Sequence, residues 1–154
     1  MDRTKIAEQI GLEDLLCFAA YSASLAFSRC YRPTLEKLGL TYPQFIVMMV
    51  LWEEGKTTMK VLSERLMLDS STLTPLLKKL EQAGLVERGR NRDDERILDV
   101  VPTAKAMKLR PDGKLAALTL AEASGESLED FVELQQRLAR VRNNIAKAAE
   151  RMNG

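Results

Sequence analysis

The chain has 154 residues, of which 45% are hydrophobic and 29% are charged, and these values are typical of a soluble globular protein. It contains no histidine, which excludes Ser-His-Asp and Cys-His catalytic arrangements and histidine-ligated metals. Its two cysteines are too few for a disulfide framework. We therefore expect neither an enzyme nor a bound cofactor or metal.

No targeting or membrane segment is visible in the sequence. Residues 1–10, MDRTKIAEQI, lack the apolar core of a signal peptide, and the run FIVMMVLW at 45–52 is too short to cross a bilayer. These features predict a cytoplasmic protein that does not enter a membrane. The net charge of +1 is unevenly spread, since residues 56–92 hold eight Lys and Arg against four Asp and Glu. This basic segment favours a polyanionic partner.

The first predicted element is a helix over residues 12–38, where apolar residues recur at helical spacing. Pro33 predicts a break or kink inside this helix. Cys17 lies within about a turn of the predicted start, where backbone N–H groups and the helix dipole favour a thiolate. Glu13 and Asp14 oppose that effect, so the balance stays open.

The segment LTYPQFIVMMVLWEEG at 40–55 predicts a second helix. Thr41 is a suitable N-cap, Pro43 lies in the first turn, and Gly55 follows the end. The β-branched residues of FIVMMVLW allow a buried strand as the alternative. We prefer the helix because the methionines, the leucine and the tryptophan fit it and the capping residues agree.

A pair of short helices is predicted within TTMKVLSERLMLDSSTLTPLLKKLEQAGLV, residues 57–86. Apolar residues line one side of each helix, LDS separates the two, and Gly84 ends the second. Two short helices joined in this way form a helix-turn-helix, although this turn lacks the glycine that often occupies it.

The next two segments, LVERGR and RILDVV, have strand character and flank the polar stretch NRDDE, so they predict a β-hairpin. A hairpin directly after a helix-turn-helix is the wing of a winged helix. Its basic residues on or beside the tip are Arg88, Arg90, Arg92 and Arg96. Four nearby acidic residues offset these arginines in number, so a solvated turn is the alternative. We favour a nucleic-acid contact because the hairpin follows the predicted recognition helix.

The last third of the chain predicts two further helices. Thr103 caps the first, which RPDG at 110–113 should interrupt or kink, and Ser127 with Asp130 forms a capping box for the second. The second helix carries two interleaved seven-residue apolar series, Phe131, Leu138, Ile145 and Met152, and Leu134, Val141 and Ala148. Such a seam packs on another helix, and on so small a domain a dimer is favoured over internal packing.

Together these elements predict a mainly α fold with a small β-hairpin wing (α+β), formed as a single domain of residues 1–154. Residues 41–102 are the winged helix-turn-helix lobe. Residues 12–38 and 104–152 are the N- and C-terminal dimerisation helices.

Several stretches carry a resemblance to a known family: LEDLLCFAAYSAS, CYRPTLEKLGLTYPQF, VLWE, LDSSTLTPLLKKLEQAGLVERGR and DDER. They resemble the MarR family of winged-helix repressors and, more narrowly, its organic-hydroperoxide-sensing (OhrR) branch. The wing's Asp94 and Arg96 match a pattern common to MarR proteins at large, whereas Cys17-Phe18 is more specific to the peroxide sensors. The chain departs from the family at Pro102-Thr103-AKAMK, where a Leu-Thr and a glycine-containing helix start are usual. No cysteine follows Cys30, so the chain resembles the one-cysteine type.

The resemblance implies that Cys17 is the redox-sensing thiol and that Tyr31 and Tyr42 are its hydrogen-bond partners. Tyr21, four residues after Cys17, lies on the same helical face. In a continuous helix Tyr31 lies about 21 Å from Cys17 of its own chain, so the partner subunit of a homodimer would have to supply it. Cys30, about 20 Å from Cys17, is too far for an internal disulfide, and we interpret it as a packing residue.

The resemblance also implies a homodimer that binds operator DNA when reduced. The residues expected to contact DNA are Ser70, Ser71, Thr72, Thr74 and Lys78 of the recognition helix and Arg88, Arg90, Arg92, Asp94 and Arg96 of the wing. An organic hydroperoxide would oxidise Cys17 to a sulfenic acid, which a low-molecular-weight thiol would convert to a mixed disulfide or which would over-oxidise. Either product would release the DNA.

Two other classes of function stay open. A ligand-responsive MarR repressor would bind a phenolic or similar small molecule, with Cys17 incidental. A thiol peroxidase would need groups that activate the thiol for turnover, and the missing histidines and the predicted winged helix both argue against it.

Overall fold

A computed structural model describes Thr4 and residues 7–153 of the chain. The structure does not describe residues 1–3, 5–6 and 154. The prediction that residues 1–10 lack a targeting segment and the predicted ends of the domain 1–154 therefore lie partly outside the described residues. The chain divides into two compact units, residues 1–116 and 117–154. Within the described part of the chain, no helix combines the length and the apolar character that crossing a bilayer requires.

The fold is mainly helical with one small antiparallel sheet, which confirms the predicted fold class. A 3₁₀ turn at Leu12–Asp14 precedes the first helix. The elements that follow are α1 (Leu16–Lys37), α2 (Tyr42–Glu54), β1 (Thr57–Thr58), α3 (Met59–Leu66), α4 (Ser70–Gln82), β2 (Val86–Arg90), β3 (Leu98–Pro102), α5 (Ala104–Ala123) and α6 (Leu128–Asn153).

The sheet has a third strand that the sequence reading did not predict. The described strands lie in the order β1-β3-β2, so β3 is central and Val100 is opposite both Thr57 and Arg88. A two-residue strand carries no readable alternation of apolar and polar residues, which is why the sequence predicted a two-stranded hairpin only. The extra strand attaches the wing to the chain that immediately precedes α3.

Both helices that were predicted to break or kink at a proline continue past it. α1 runs unbroken through Pro33, and α5 runs unbroken through Pro111 within RPDG. A proline inside a helix removes one hydrogen bond and costs about 3 kcal/mol, which tertiary packing can outweigh. In α1 that packing comes from the buried Tyr31 and Leu35 on either side of the proline.

In α5 the packing comes from Trp52 of α2. Its indole Nε1 donates a 2.9 Å hydrogen bond to the Ala106 carbonyl. A Cβ atom at Gly113 would lie 2.3 Å from the indole ring, so this glycine allows the helix to approach Trp52 and does not end it. The close approach holds the first half of α5 on the lobe.

α2 is the centre of the core of the first unit, which confirms the helix over the strand alternative. Its side chains Val47, Met48 and Leu51 are fully buried, and its caps are the predicted ones. Thr41 and Gln44 form a capping box, in which the Thr41 N–H donates to Gln44 Oε1 at 2.8 Å, and Gly55 follows the last turn with a φ of 69°. Each buried side chain of this size contributes about 1.5–3 kcal/mol to folding.

The second unit contains the end of α5 and the whole of α6. Ser127 Oγ accepts the Asp130 N–H at 3.1 Å and donates to the Asp130 carboxylate, so the predicted cap of this helix is present. None of the described side chains of α6 is buried, and Leu134, Leu138, Ile145 and Met152 are all exposed. Phe131, Val141 and Ala148 are half-buried, so part of the apolar series is exposed to solvent.

Candidate nucleic-acid interface and cysteine site

The turn between α3 and α4 works without a glycine. It consists of residues 67–69, and Met67 adopts the left-handed conformation, with φ 54° and ψ 40°, that glycine usually supplies. The Ser63 carbonyl accepts the N–H groups of both Met67 and Leu68, and the Ser63 hydroxyl donates to the Leu68 carbonyl at 2.5 Å. These bonds hold Met67 in its strained conformation and fix the angle between the two helices.

α4 has one buried face and one polar, exposed face. Its buried side chains Leu73, Leu77 and Leu80 are each fully excluded from solvent. The predicted DNA-contacting residues of this helix are all exposed: Ser70, Ser71, Thr72, Thr74 and Lys78. The Thr74 hydroxyl donates to the Ser70 carbonyl at 2.7 Å, so it lies over the first turn. The helix therefore presents a row of hydroxyl groups, with the ammonium groups of Lys78 and Lys79 further along.

The wing extends from β2 and β3, and its tip carries exposed arginines. The Asp94 carboxylate accepts hydrogen bonds from the Arg96 backbone N–H at 3.0 Å and from the Arg96 Nε at 3.3 Å. The Arg96 side chain is 93% exposed, so the ion pair orients the guanidinium without covering it. Arg90 and Arg92 are exposed as well.

Arg88 differs from the other wing arginines because its guanidinium is paired with a carboxylate of α4. Its Nε and Nη2 donate to Glu81 Oε2 at 3.1 and 2.5 Å, and only 22% of its side chain is exposed. The same hydrogen bond lowers the pKa of the Glu81 carboxyl. Arg88 thus connects β2 to α4 within the lobe. Its expected contact with DNA stays a prediction.

A groove of about 480 Å³ brings together residues of the two predicted DNA-contacting elements. Ser70, at the start of α4, and Arg96, on the wing, both line it. Lys60 of α3 adds a second cation, next to the carboxylate of Glu64. Hydroxyl and cationic groups around one open groove are suited to an extended polyanion.

Cys17 is the second residue of α1, and its side chain is exposed. The first N–H groups of a helix have no partner inside the helix, so the thiol lies at a polar helix end. Tyr21 follows one turn later and is 63% exposed. α1 begins at Leu16, four residues later than the sequence predicted, and a 3₁₀ turn at Leu12–Asp14 takes the place of the expected first helical turn.

The other two tyrosines lie together at the far end of α1. The rings of Tyr31 and Tyr42 are 5.5 Å apart, and Phe45 packs against both. Tyr31 is buried, and burial raises the pKa of its phenol, with smaller contributions from Tyr42 and Cys30. Tyr31 therefore remains a neutral O–H donor at physiological pH. Since α1 is unbroken, about 21 Å of helix separates this cluster from Cys17 of the same chain.

The sequence reading missed a polar cluster in the wing. Asp99 of β3 is only 7% exposed, and its carboxylate pairs with Lys56 and accepts from Asn91. The available signal was an acidic residue inside the apolar run ILDVV, because a charge in a strand that is largely buried requires partners. Its partners could not be identified, since Lys56 is more than forty residues away along the chain.

Comparison with known proteins adds independent findings. A family model described as transcriptional regulator SarA/Rot matches residues 29–110. The transcriptional regulator TtmR of Methylorubrum extorquens (strain PA1) is 42% identical, over an alignment that covers 94% of this chain and 74% of TtmR. The organic hydroperoxide resistance transcriptional regulator of Bacillus subtilis (strain 168) is 38% identical, over an alignment that covers 85% of this chain and 89% of that regulator.

Among solved structures, reduced AbfR of Staphylococcus epidermidis bound to DNA superimposes with a TM-score of 0.72 at 30% identity. The match covers 94% of this chain and 96% of that chain. AbfR has also been solved in a disulfide form, with a TM-score of 0.63 at 35% identity over 91% of this chain and 98% of that one.

Proposed function

Because this chain belongs to the winged-helix transcriptional regulators of the SarA/Rot and MarR type, we propose that it is a repressor that releases operator DNA when an organic hydroperoxide oxidises Cys17. The observation that carries the redox part is the position of Cys17, exposed at the start of α1. The similarity to a regulator of organic hydroperoxide resistance and to AbfR, solved in reduced and disulfide forms, supports the same assignment.

The DNA-binding role rests on α4 and the wing. The hydroxyls of Ser70, Ser71, Thr72 and Thr74 enter the major groove, where they meet base edges or phosphates. Lys78 neutralises a phosphate. Arg96 and Arg90 enter or flank the minor groove, while Arg92 contacts the backbone. The groove that joins Ser70 to Arg96 supports this assignment, because a DNA strand that follows it contacts both elements at once.

A homodimer is part of the proposal. α1 exposes Leu16, Tyr21, Leu25 and Phe27, and α6 exposes the apolar series Leu134, Leu138, Ile145 and Met152. Exposed apolar side chains along one helix mark an interaction surface, and the seven-residue repeat of α6 is suited to a second copy of the same helix. Sedimentation of the reduced chain measures this assembly directly.

The dimer also supplies the missing half of the sensing site. Tyr31 and Tyr42 lie about 21 Å along α1 from Cys17 of their own chain. If two α1 helices run antiparallel across the dimer axis, the Tyr31 and Tyr42 cluster of one protomer faces the thiol of the other. A neutral, buried phenol at Tyr31 is a hydrogen-bond donor, which is suited to a thiolate or sulfenate acceptor.

The oxidation is stoichiometric. The Cys17 sulfur attacks one oxygen of the hydroperoxide, so that an S–O bond forms and the O–O bond breaks. The sulfur becomes a sulfenic acid and the peroxide leaves as an alcohol. A low-molecular-weight thiol then displaces water to give a mixed disulfide, or further peroxide over-oxidises the sulfur. Either product adds polar bulk at the start of α1 and changes the spacing of the two DNA-binding lobes.

The test uses the chain's own upstream DNA as a labelled duplex and follows its release by fluorescence anisotropy on addition of cumene hydroperoxide. Cys17→Ser should bind the duplex as tightly as the wild type and should not release it. Cys30→Ser is the matched control and should release it normally. Intact-mass measurement with hydroperoxide and a small thiol present should locate the adduct on Cys17.

Two results would overturn the redox proposal. One is an adduct confined to Cys30. The other is a Cys17→Ser protein that still leaves the duplex when it is oxidised. If Cys17→Ser instead keeps a full response to a phenolic small molecule, the chain is a ligand-responsive regulator, and its DNA-binding role stands.

A further inference from the structure

The wing of this protein is attached to the lobe by a buried carboxylate. Asp99 Oδ2 lies 2.7 Å from the Nζ of Lys56, and the Asn91 Nδ2 donates to both Asp99 oxygens at 3.1 and 3.2 Å. These bonds lower the pKa of the Asp99 carboxyl, with Lys56 as the larger cause, so the group is ionised at neutral pH. Both partners stabilise the charge of this largely covered carboxylate.

Asn91 connects this carboxylate to the tip of the wing. The Asn91 Oδ1 accepts the backbone N–H groups of Asp93 and Asp94 at 2.9 and 3.1 Å. The backbone N–H of Asn91 donates to the Ile97 carbonyl at 2.9 Å. The amide orientation is unambiguous, because the carboxylate requires donors and the two N–H groups require an acceptor. The Asn91 side chain is thus bound at both of its ends.

The last link in the series is Asp94, whose carboxylate holds the backbone and the guanidinium of Arg96. We propose that Lys56, Asp99 and Asn91, hereafter the wing anchor, position Arg96 for contact with DNA. The inference rests on the proposed role of Arg96 in operator binding and deepens it. The anchor acts through the backbone of the wing and makes no proposed contact with DNA, so all three members are positioning residues.

The physical argument is one of preorganisation. Residues 92, 93, 95 and 96 are exposed, and the side-chain bonds that hold this part of the tip come from Asn91 and Asp94. If the tip were free, DNA binding would have to order its backbone, and the conformational entropy lost would weaken the binding. A tip ordered beforehand retains that free energy as affinity.

The main test replaces Asn91 with aspartate, which sets two carboxylates in contact. Asn91→Asp should weaken operator binding about tenfold or more, because the Asp99 carboxylate loses the Asn91 donor and meets a like charge. The double variant Asn91→Asp with Asp99→Asn restores one donor and one acceptor in exchanged positions. It should recover affinity to within about threefold of the wild type. A variant that damaged the fold in general would not be rescued by this exchange.

Asn91→Ala removes the bonds to Asp99 without adding charge, and it also removes the bonds that Oδ1 accepts from the Asp93 and Asp94 N–H groups. It keeps the proposal testable if Asn91→Asp does not fold, and it should also weaken binding about tenfold. Circular dichroism of each variant confirms that helical content is unchanged.

The route through Arg96 is tested in an Arg96→Ala background, where the anchor has no guanidinium to position. There Asn91→Ala should change operator affinity by less than about twofold. An equal loss in both backgrounds, or no rescue in the exchanged double variant, would overturn the anchor. An Arg96→Ala protein that binds like the wild type would overturn the proposed wing contact itself. The two failures are therefore distinguishable.

Discussion

The recognition helix and the wing are both expected to contact DNA, but they are held in place by different forces. α4 is fixed by Leu73, Leu77 and Leu80, which are fully buried. The wing tip is fixed by directional polar contacts among Lys56, Asn91, Asp94 and Asp99. Apolar burial is a sum over many weak contacts, whereas a polar network depends on individual atoms. The placement of α4 is thus inseparable from folding, and the placement of the wing is separable from it.

The strongest way to break this comparison is a deletion in the buried face of α4. Leu77→Ala should lower the free energy of unfolding by about 2–5 kcal/mol, because it removes transfer free energy and leaves a cavity. Binding to every DNA duplex should fall with the folded fraction. Urea unfolding followed by circular dichroism measures the loss.

Gln82→Ala, exposed on the same helix, is the control and should stay within about 0.5 kcal/mol of the wild type. Loss of DNA binding in a fully stable Leu77→Ala protein would contradict the assignment of α4 to the core.

The corresponding change in the wing should separate binding from stability. Arg96→Ala should weaken operator binding by about 1–3 kcal/mol. Its stability should change by less than about 0.5 kcal/mol, since the Arg96 side chain is 93% exposed. Anisotropy titration at matched salt measures the first quantity and thermal unfolding the second.

The control for this change is Lys78→Ala, which should weaken binding to all sequences alike and reduce the salt slope by about one. If Arg96→Ala and Lys78→Ala give the same loss on operator and on unrelated DNA, Arg96 contributes no more than a phosphate contact.

The same contrast explains what could be predicted from the sequence. The helix-turn-helix was predictable because buried leucines recur at helical spacing, and α2 because its caps and its apolar content agree. The breaks or kinks predicted at Pro33 and Pro111 end neither helix, because packing around Tyr31 and against Trp52, respectively, outweighs local propensity. The wing anchor was invisible, because Lys56 and Asp99 become neighbours only through the pairing of β1 with β3.

The sensing site was predictable only in part, for a related reason. The position of Cys17 near a helix start follows from local pattern, and the structure has it as the second residue of α1. The grouping of Tyr31 with Tyr42 and Phe45 depends on how α1 packs on α2, which spacing along the chain does not encode. A site completed by a second copy depends on contacts outside one chain, so the pairing of Cys17 with these tyrosines remains a proposal.

The smallest effect is expected from pH, and it tests the polar contacts that hold the wing. The pKa of Asp99 is lowered in the fold, mainly by Lys56 and then by Asn91. A carboxyl whose pKa is lowered by folding stabilises the protein fully above its unfolded value, about 3.9, and this contribution is lost as the pH falls through the lower folded value. The wild type should therefore lose Tm relative to Asp99→Asn as the pH is lowered below about 4, and the difference between them should be constant from pH 5 to 7.

Lys56 is 59% exposed, so added salt should reduce the difference. Arg88 lowers the pKa of Glu81 in the same direction. Glu81→Gln, in α4, is therefore the positive control, and the Tm difference between it and the wild type should depend on pH in the same way. A Tm difference between wild type and Asp99→Asn that does not change with pH would mean that the Asp99 charge contributes nothing, and that the wing is held by shape alone.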